Sequence, residues 1–490
     1  MSIIVSDMRR HVRLVAILVI GAALITALPV NAATSGGKCS KAGQVRTTKG
    51  VNYKCTKSGK VLKWVKVAPT AKNTIATTTS TAAALKDGEA CSKVGDKSTV
   101  SGGYLECRAI SGGTNKWFKL SSSPAAVSMP TGGGALEACK LTEARINKFQ
   151  PWNIGFPRGF SGTPTLPSTG VSNIQLIAVD FSDAVGTAEE LTSADAQIAE
   201  FNKWFDFTSN GTKSFNWQYP KRWLRMSRPT PNYALVKGDR ATVIPMGQEI
   251  ISLADSIVDF TGSDFVFVLF PKNIQLGSPD LGFANWEVNS AEGTVRNLFG
   301  GAEFFYSNNY ELWSFWIHEW GHPMGLAGHS PRSNLSIMDN QNGSSVVLNV
   351  WDTFFTGWMG ADELYCMPST QSTLETQLIP LERLQRGMRG VIVPISTTEA
   401  LVVESHRAEG WGARLGAGTY GLLVYYIDTT KDTDRSGESQ GIVKETWAQY
   451  VTPATTNNYK LLLQGDIVTY KGITVTLTKT GDVDTVKITK

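Results

Sequence analysis

The segment that decides the fold lies at residues 310–329 and reads YELWSFWIHEWGHPMGLAGH. Aromatic and aliphatic residues recur through it at helical spacing, which predicts a long, aromatic-rich helix over Tyr310–Met324. Because residues four apart project from one face of a helix, His318 and His322 place two imidazole rings side by side. The chain has five histidines, and three of them, these two and His329, lie within twelve residues. Such clustering indicates a metal site.

Two imidazoles from one helix turn and a third ligand form the set with which proteins hold a catalytic Zn²⁺. Glu319 lies beside the first of these histidines in the sequence. It is predicted to accept a proton from the metal-activated water and then to donate it to the leaving group. Bound zinc lowers the pKa of that water to ~7, so a carboxylate suffices as the base. The alternative is that each of these residues has only an ordinary structural role.

The third ligand has to come from the chain that follows the helix. Gly325 can adopt a positive φ, which ends the helix and turns the chain back toward the metal. His329 is therefore predicted to supply the third imidazole, and the alternatives are two acids, Asp339 and Asp352. Pro323 lacks an N–H group, so we expect a distorted last turn of the helix rather than a broken site.

The stretch from His318 to His329 resembles the metzincin motif His-Glu-x-x-His-x-x-Gly-x-x-His. The third histidine of that motif would fall at Gly328, so His329 comes one residue late. Further along, residues 336–339 (SIMD) resemble the methionine turn of the same family, in which a methionine, here Met338, packs beneath the metal. The resemblance implies a zinc peptidase with a metzincin-like catalytic domain.

A wider resemblance, over roughly residues 170–490, is to the immune-inhibitor-A-like secreted metallopeptidases. The segments that carry it are IAVDFSD at 177–183, residues 350–359, 402–407 and 421–428, and the hairpin at 465–475. The resemblance implies cleavage of peptide bonds and often bound Ca²⁺ beside Zn²⁺. Candidate calcium ligands are Asp432, Asp434 and Glu438, and a solvated acidic loop is the alternative.

Residues 1–32 have the pattern of a signal peptide. Three arginines precede an apolar run from Leu14 to Val30, and small residues follow at the expected cleavage positions. The alternative is an uncleaved signal anchor. Since no later stretch is long and apolar enough to span a bilayer, we expect a protein that is secreted or held at the cell surface, without a membrane span after cleavage.

Export favours disulfides for the six cysteines. The sequence CSKAG at 39–43 recurs as CSKVG at 91–95, and in both copies a second cysteine follows sixteen positions after the first. This repeat predicts two small β modules, stapled by Cys39–Cys55 and Cys91–Cys107. Cys139 and Cys366 remain, and they either form a third disulfide or are two free buried thiols.

The basic residues are concentrated at the start of the mature chain. Residues 33–66 contain nine lysines and arginines and no acid, whereas the net charge of the whole chain is only +5. For an exported protein this favours an anionic polymer of the cell envelope as the partner, and no nucleic acid is expected. A solvated basic surface is the alternative.

The chain is predicted to be α+β, with a mixed sheet and the active-site helix in the catalytic domain. The predicted divisions are a signal peptide (1–32), a basic cysteine module (33–66), a flexible Ala/Thr linker (67–86), a second cysteine module (87–120), a flexible Ser/Pro/Gly linker (121–135), the catalytic domain (136–372) and a β-rich lobe (373–490). Strands are predicted at 174–181, 264–270, 390–395, 400–404, 421–428, 460–463, 466–470 and 474–478, and helices at 188–205 and 250–258. The region 286–305 is the candidate for an edge strand on the substrate side of the sheet.

These features together predict a secreted zinc endopeptidase acting on proteins or peptides. The rival hypothesis is a non-catalytic surface protein whose repeats bind wall or matrix polymer and whose metal is structural or absent. A zinc hydrolase acting on a non-peptide bond is a third hypothesis.

Overall fold

The computed structural model describes part of the chain. The described residues are 37–39, 41–42, 44–48, 51–58, 61–66, 89–93, 96–100, 103–108, 116–120, 127, 129–144, 159–161, 164–236, 239–276, 280–283, 287–301, 311–326, 329, 331–412, 414–416, 418–431, 447–451 and 459–490. The predicted signal peptide, the linker at 67–86, Gly328 and the candidate calcium ligands at 432–438 lie outside these residues. The described residues fall into two compact units, divided between residues 83 and 84.

Each sequence repeat forms a three-stranded antiparallel sheet. The strands are β1 (Val45–Thr48), β2 (Val51–Ser58) and β3 (Val61–Lys66) in the first copy, and β4 (Lys97–Val100), β5 (Gly103–Arg108) and β6 (Lys116–Leu120) in the second. Disulfides join Cys39 to Cys55 and Cys91 to Cys107, so both predicted staples are confirmed. In each sheet the second cysteine is paired across the strands with the repeat's tryptophan.

A six-stranded sheet lies at the centre of the predicted catalytic domain. Its strands are β7 (Gly170–Asp180), β8 (Lys213–Gln218), β9 (Trp223–Arg225), β10 (Phe265–Leu269), β11 (Asp280–Phe283) and β14 (Leu298–Gly301), whereas β12 (Val288–Ser290) and β13 (Gly293–Val295) form a separate hairpin. The order is β11-β14-β10-β7-β8, and β9 also pairs with β7. Only β11 runs antiparallel to its neighbour, so the predicted mixed sheet is confirmed.

The described helices are α1 (Ala188–Thr208), α2 (Arg240–Ala254), α3 (Leu312–Gly321) and α4 (Val350–Phe355). A capping box between Thr187 and Glu190 starts α1, and the predicted helix at 188–205 is confirmed. The prediction at 250–258 is wrong in its bounds, because α2 begins ten residues earlier. Pro245 argues against a helix there in the sequence, but Asp239 caps the first turn and the apolar residues of the helix pack in the core.

Two further sheets contain the strands of the predicted β-rich lobe, and β15 (Leu364–Cys366), which precedes residue 373, joins the first of them. The first contains β15, β17 (Gly390–Pro394), β18 (Glu399–Arg407), β19 (Tyr420–Asp428) and β20 (Ala448–Tyr450), and the second contains β16 (Thr373–Leu378), β21 (Ile467–Tyr470), β22 (Ile473–Lys479) and β23 (Asp484–Thr489). The strand predicted at 460–463 is wrong. Only Leu462 forms a bridge, to Leu422, and Lys460 has a left-handed φ of 59°, which interrupts an extended chain.

Two other expectations need correction. The edge strand of the six-stranded sheet on the β14 side is β11, which precedes the region 286–305. That region instead holds the β12–β13 hairpin and β14, which lies inside the sheet. The predicted flexible linker at 121–135 is held at its end, because the Gly134 amide donates to the Cys366 carbonyl at 2.9 Å.

A third disulfide joins Cys139 to Cys366, as the first of the two alternatives for these cysteines predicts. Both cysteines are buried, and the bond ties the start of the predicted catalytic domain to β15. A single hydrophobic cluster continues from α1 and α3 into β17, β18 and β19. The sheet that carries the helix and the first sheet of the lobe therefore share one core.

His406 lies in that shared region, on β18, and is fully buried between two carboxylates. Its Nδ1 is 2.7 Å from Glu382 and its Nε2 is 2.9 Å from Glu404. Burial alone lowers the pKa of an imidazolium, but the two carboxylates outweigh burial and raise the pKa of His406 to about 10. His406 is therefore a buried cation.

This buried cation gives the stability of the fold a defined pH dependence. The unfolded His406 loses its proton near its ordinary pKa of 6.5 and the folded one only near about 10. Its contribution is thus fully present below pH 6.5 and is lost as the pH rises through about 10, at about 1.4 kcal/mol per pH unit between the two values. Urea unfolding of the metal-free wild type and of His406→Gln between pH 6 and 10.5 measures this. A difference in unfolding free energy that stayed constant over the range would contradict it.

Candidate metal centre

The helix α3 presents two opposite faces because successive residues turn by about 100°. Trp316 and Trp320 lie on one face and pack on the six-stranded sheet, with ring centroids 5.3 Å and 5.1 Å from Phe267 and Phe265. The two histidines, each two residues further along, therefore project from the other face. The aromatic residues of α3 thus dock the helix and aim His318 and His322 away from the sheet.

Glu319 differs from the rest of this helix in its exposure. Every other residue of α3 is buried, including His318, whereas Glu319 is half-buried. A carboxylate that retains access to solvent beside buried candidate ligands can exchange protons with a water molecule.

The helix ends with a Schellman motif. The Leu326 amide donates to the Gly321 carbonyl at 3.0 Å, and the Gly325 amide donates to the His322 carbonyl at 2.9 Å. Gly325 has a φ of 96°, the left-handed conformation that the sequence predicts for it. Pro323 lies within this turn, and its carbonyl accepts from the amides of 165–166. The last turn is therefore distorted without displacing His322.

The three predicted histidine ligands come together at this end of α3. The Nε2 atom of His318 is 3.2 Å from that of His322 and 3.2 Å from that of His329. The three ligand nitrogens all lie within 4.8 Å of one another. Two nitrogens bound at about 2.0–2.1 Å to one tetrahedral ion stand about 3.3 Å apart, so the two 3.2 Å separations from His318 match those of ligands that share one Zn²⁺.

Backbone carbonyls determine which ring nitrogens of the helix histidines are free. The Nδ1 atom of His318 is 2.8 Å from the Ile337 carbonyl, and that of His322 is 3.0 Å from the Leu326 carbonyl. A carbonyl can only accept a hydrogen bond, so each Nδ1 carries the proton and each Nε2 has its lone pair free for a metal. Burial, together with the proximity of His329, lowers the pKa of His318 to about 3, which keeps this ring neutral.

His329 reaches the group from a loop tied to the predicted methionine turn. Its amide donates to the Met338 carbonyl at 2.7 Å, and its φ of 60° is left-handed. The two alternative ligands are not in the group. One oxygen of Asp339 accepts from the amides of Ser333 and Asn334, and Asp352 lies on α4, where it accepts from the Asn349 side chain.

Met338 lies against α3, the helix that carries two of the candidate metal ligands. A β-carbon at Gly321 would come within 2.8 Å of the Met338 methyl group and still closer to its sulfur. Gly321 stands directly before His322. Because it has no side chain, the Met338 side chain can occupy the space beside it. The residue expected beneath the metal is in contact with the segment between the two helix histidines.

Two groups of this site were missed by the sequence reasoning, the carbonyls of Ile337 and Leu326. Every residue has a backbone carbonyl whatever its side chain is, so the sequence contains no signal for these two oxygens. Gly321 did leave a signal, since a glycine within a helix costs about 1 kcal/mol and usually has a packing reason.

Comparisons with protein-family models and with curated proteins found no match for this chain. Among the described residues, no helix is both long enough and apolar enough to cross a membrane.

The contact between Gly321 and Met338 makes a specific prediction. Gly321→Ala is expected to lower the unfolding free energy by about 1–3 kcal/mol, because the added methyl group overpacks the site. Thermal unfolding of the metal-free protein measures this. Met338→Ala removes the clashing atoms, so the double variant should lose less stability than the sum of the single variants.

Gly416→Ala is the matched control, because the nearest atom to a β-carbon there is 3.7 Å away. If Gly321→Ala were no more destabilising than this control, or if its effect simply added to that of Met338→Ala, the contact would have no energetic role.

Proposed function

We propose that this protein is a secreted zinc-dependent endopeptidase. The observation that supports it most is the convergence of three imidazole rings, two of which donate their Nδ1 protons to backbone carbonyls and so leave Nε2 free. The half-buried Glu319 next to them adds the base that hydrolysis requires. The resemblance of residues 318–329 to the metzincin motif gives the proposal its reaction class.

The ligand set is one that zinc favours. His318, His322 and His329 would hold the ion, leaving a fourth position for water or substrate. When bound, zinc polarises a substrate carbonyl and lowers the pKa of a water molecule to about 7. Asp339 takes no part in binding in this proposal, since it is not in the group of three histidines and one of its carboxylate oxygens accepts from two loop amides.

The protein's own residues carry the proton. Glu319 accepts a proton from the attacking water and donates it to the leaving amine nitrogen. The carbonyls of Ile337 and Leu326 hold the two helix rings in the tautomer that binds metal. Secretion is part of the proposal, and three disulfides within the chain support it, because such bonds persist in oxidising compartments.

Substituting the base and the third ligand separately tests the mechanism. Glu319→Gln is expected to retain one zinc per chain and to lower casein hydrolysis at least about 100-fold, because only the proton acceptor is lost. His329→Ala should lose both zinc and activity, whereas Asp339→Asn should retain zinc. Metal analysis of dialysed protein, run beside a casein assay with and without chelator, measures each outcome.

Any other outcome of these measurements would contradict a specific part of the proposal. Full activity in Glu319→Gln would refute the proposed base, and zinc lost from Asp339→Asn but kept by His329→Ala would reassign the third ligand. Zinc bound by the wild type without hydrolysis of any protein would favour the non-catalytic surface protein. Chelator-sensitive cleavage of only non-peptide esters or amides would favour the third hypothesis.

We propose in addition that the first module binds an anionic polymer through one face of its sheet. Residues paired across antiparallel strands project on the same side. Cys55 pairs with Trp64, and both are buried, so that side is the module's small core. Lys54 pairs with Val65 and therefore lies on the other side, as do Lys63 and Val61.

This second side, which we call the open face, is accessible and basic. Val61 and Val65 are 42% and 48% exposed, and both lysines are exposed. Since residues 33–66 contain no acid, no negative charge of the module itself neutralises it. The second module has the same register, but Glu106 stands in the place of Lys54. The basic charge at this position is therefore specific to the first module and is not a feature that the two modules share.

Charge reversal on the open face tests this binding. In the full chain, Lys54→Glu with Lys63→Glu should weaken retention on immobilised polyphosphate about tenfold and reduce its salt dependence. The control is Lys57→Glu with Lys66→Glu, which makes the same charge change on the cysteine side of the sheet. Equal losses in both double variants would mean that only net charge matters, and unchanged retention in both would refute polymer binding by this module.

A further inference from the structure

The buried cation of the lobe and the metal centre are joined by a short series of hydrogen bonds. The two carboxylates that flank His406 each hold one end of the same short segment, residues 345–350. Glu382 accepts from the Ser345 hydroxyl at 2.8 Å, and Glu404 accepts from the Val350 amide at 2.6 Å. A second donor to Glu404 is the Tyr425 hydroxyl, at 3.1 Å.

The middle of segment 345–350 is in turn bound to the metal loop. The Val347 carbonyl accepts from the Ile337 amide at 2.8 Å. Ile337 then uses its own carbonyl to accept from His318 Nδ1. The next residue, Met338, accepts from the His329 amide. Two of the three candidate ligands are thus oriented by a turn that rests on segment 345–350.

The members of this series from His406 to His318 are buried. His406, Glu382, Glu404, Ser345 and Ile337 are each 0% exposed. Water is therefore not available to replace a lost partner, and a carboxylate left without its cation would have to move or take up a proton. The segment between the two carboxylates would lose its fixed position in either case.

We propose that His406 is a positioning residue of the metal centre, which acts on His318 and His329 through Glu382, Glu404 and segment 345–350. The lobe then has a function in the site beyond covering the core, since it fixes the carbonyl that selects the metal-binding tautomer of His318. The inference rests on the proposed zinc site, and it concerns how that site is held and not the hydrolysis itself.

Zinc affinity is the first readout. His406→Gln removes the cation, and Ser345→Ala removes only the hydroxyl between Glu382 and the segment. Both are expected to weaken zinc binding about 2- to 30-fold in a chelator competition at 25 °C, the range typical of residues that couple to a site through a packed network. Glu399→Gln is the control, because Glu399 lies on the same strand but is bound to Tyr470 and Lys471. It should change zinc affinity less than twofold.

Hydrogen exchange of the metal-free protein is the second readout. Peptides covering 333–350 should exchange faster in His406→Gln and Ser345→Ala, whereas Glu399→Gln should affect only peptides around 467–479. This measurement does not depend on metal, so it tests the link even if the wild type binds no zinc, an outcome that would refute the proposed function instead.

Unchanged zinc affinity and unchanged exchange at 333–350 in Ser345→Ala would overturn the inference. So would a loss of thermal stability in His406→Gln with wild-type zinc affinity, because His406 would then be structural only. If His406→Gln does not fold, Ser345→Ala decides the question by itself.

Discussion

The protons on the helix histidines are the constraint on which this site depends. An imidazole can bind a metal through Nε2 only while the ring proton stays on Nδ1. In this protein two backbone carbonyls accept those protons, that of Leu326 just after α3 and that of Ile337 in the turn at 336–339. The turn must therefore lie against the helix at hydrogen-bonding distance, and everything that packs the turn there contributes to the candidate metal centre.

Packing on both sides of α3 meets this requirement. On one side the tryptophans of the helix dock on the six-stranded sheet. On the other, Met338 fills the space that Gly321 leaves, and the Schellman motif directs the chain toward His329. The lobe adds a third support through segment 345–350. A helix that is apolar nearly all round is stable only when buried in this way, which explains why α3 carries so few polar residues.

The lobe also shows how a buried charge can be retained. One imidazolium between two carboxylates leaves an excess of one negative charge. Amides and hydroxyls stabilise this charge because they donate hydrogen bonds to the carboxylate oxygens. A well-packed apolar cluster could provide as much stability as such a group. It could not specify the position of segment 345–350 through directional hydrogen bonds, as the two carboxylates do.

The errors in the predicted elements occur where the local sequence pattern alone does not determine the conformation of the chain. Strong local patterns, such as β7, β10 and α1, were predicted within a few residues. The start of α2 was missed because Pro245 is unfavourable by itself, and only the tertiary packing of the helix compensates for it. The strand expected at 460–463 failed because Lys460 adopts a left-handed conformation that no local pattern indicates.

The sequence by itself determined the paired histidines of one helix face, the glutamate beside them and the two repeat disulfides, because each depends on spacing along the chain. For Cys139 and Cys366 it left two alternatives, and for the third ligand it left three residues. The tertiary structure brought His329 to the other two histidines and engaged Asp339 elsewhere. It also decided which carbonyls accept the ring protons. These choices depend on contacts between distant segments, many of them made by backbone atoms that every residue shares, and so they have no signature in the sequence.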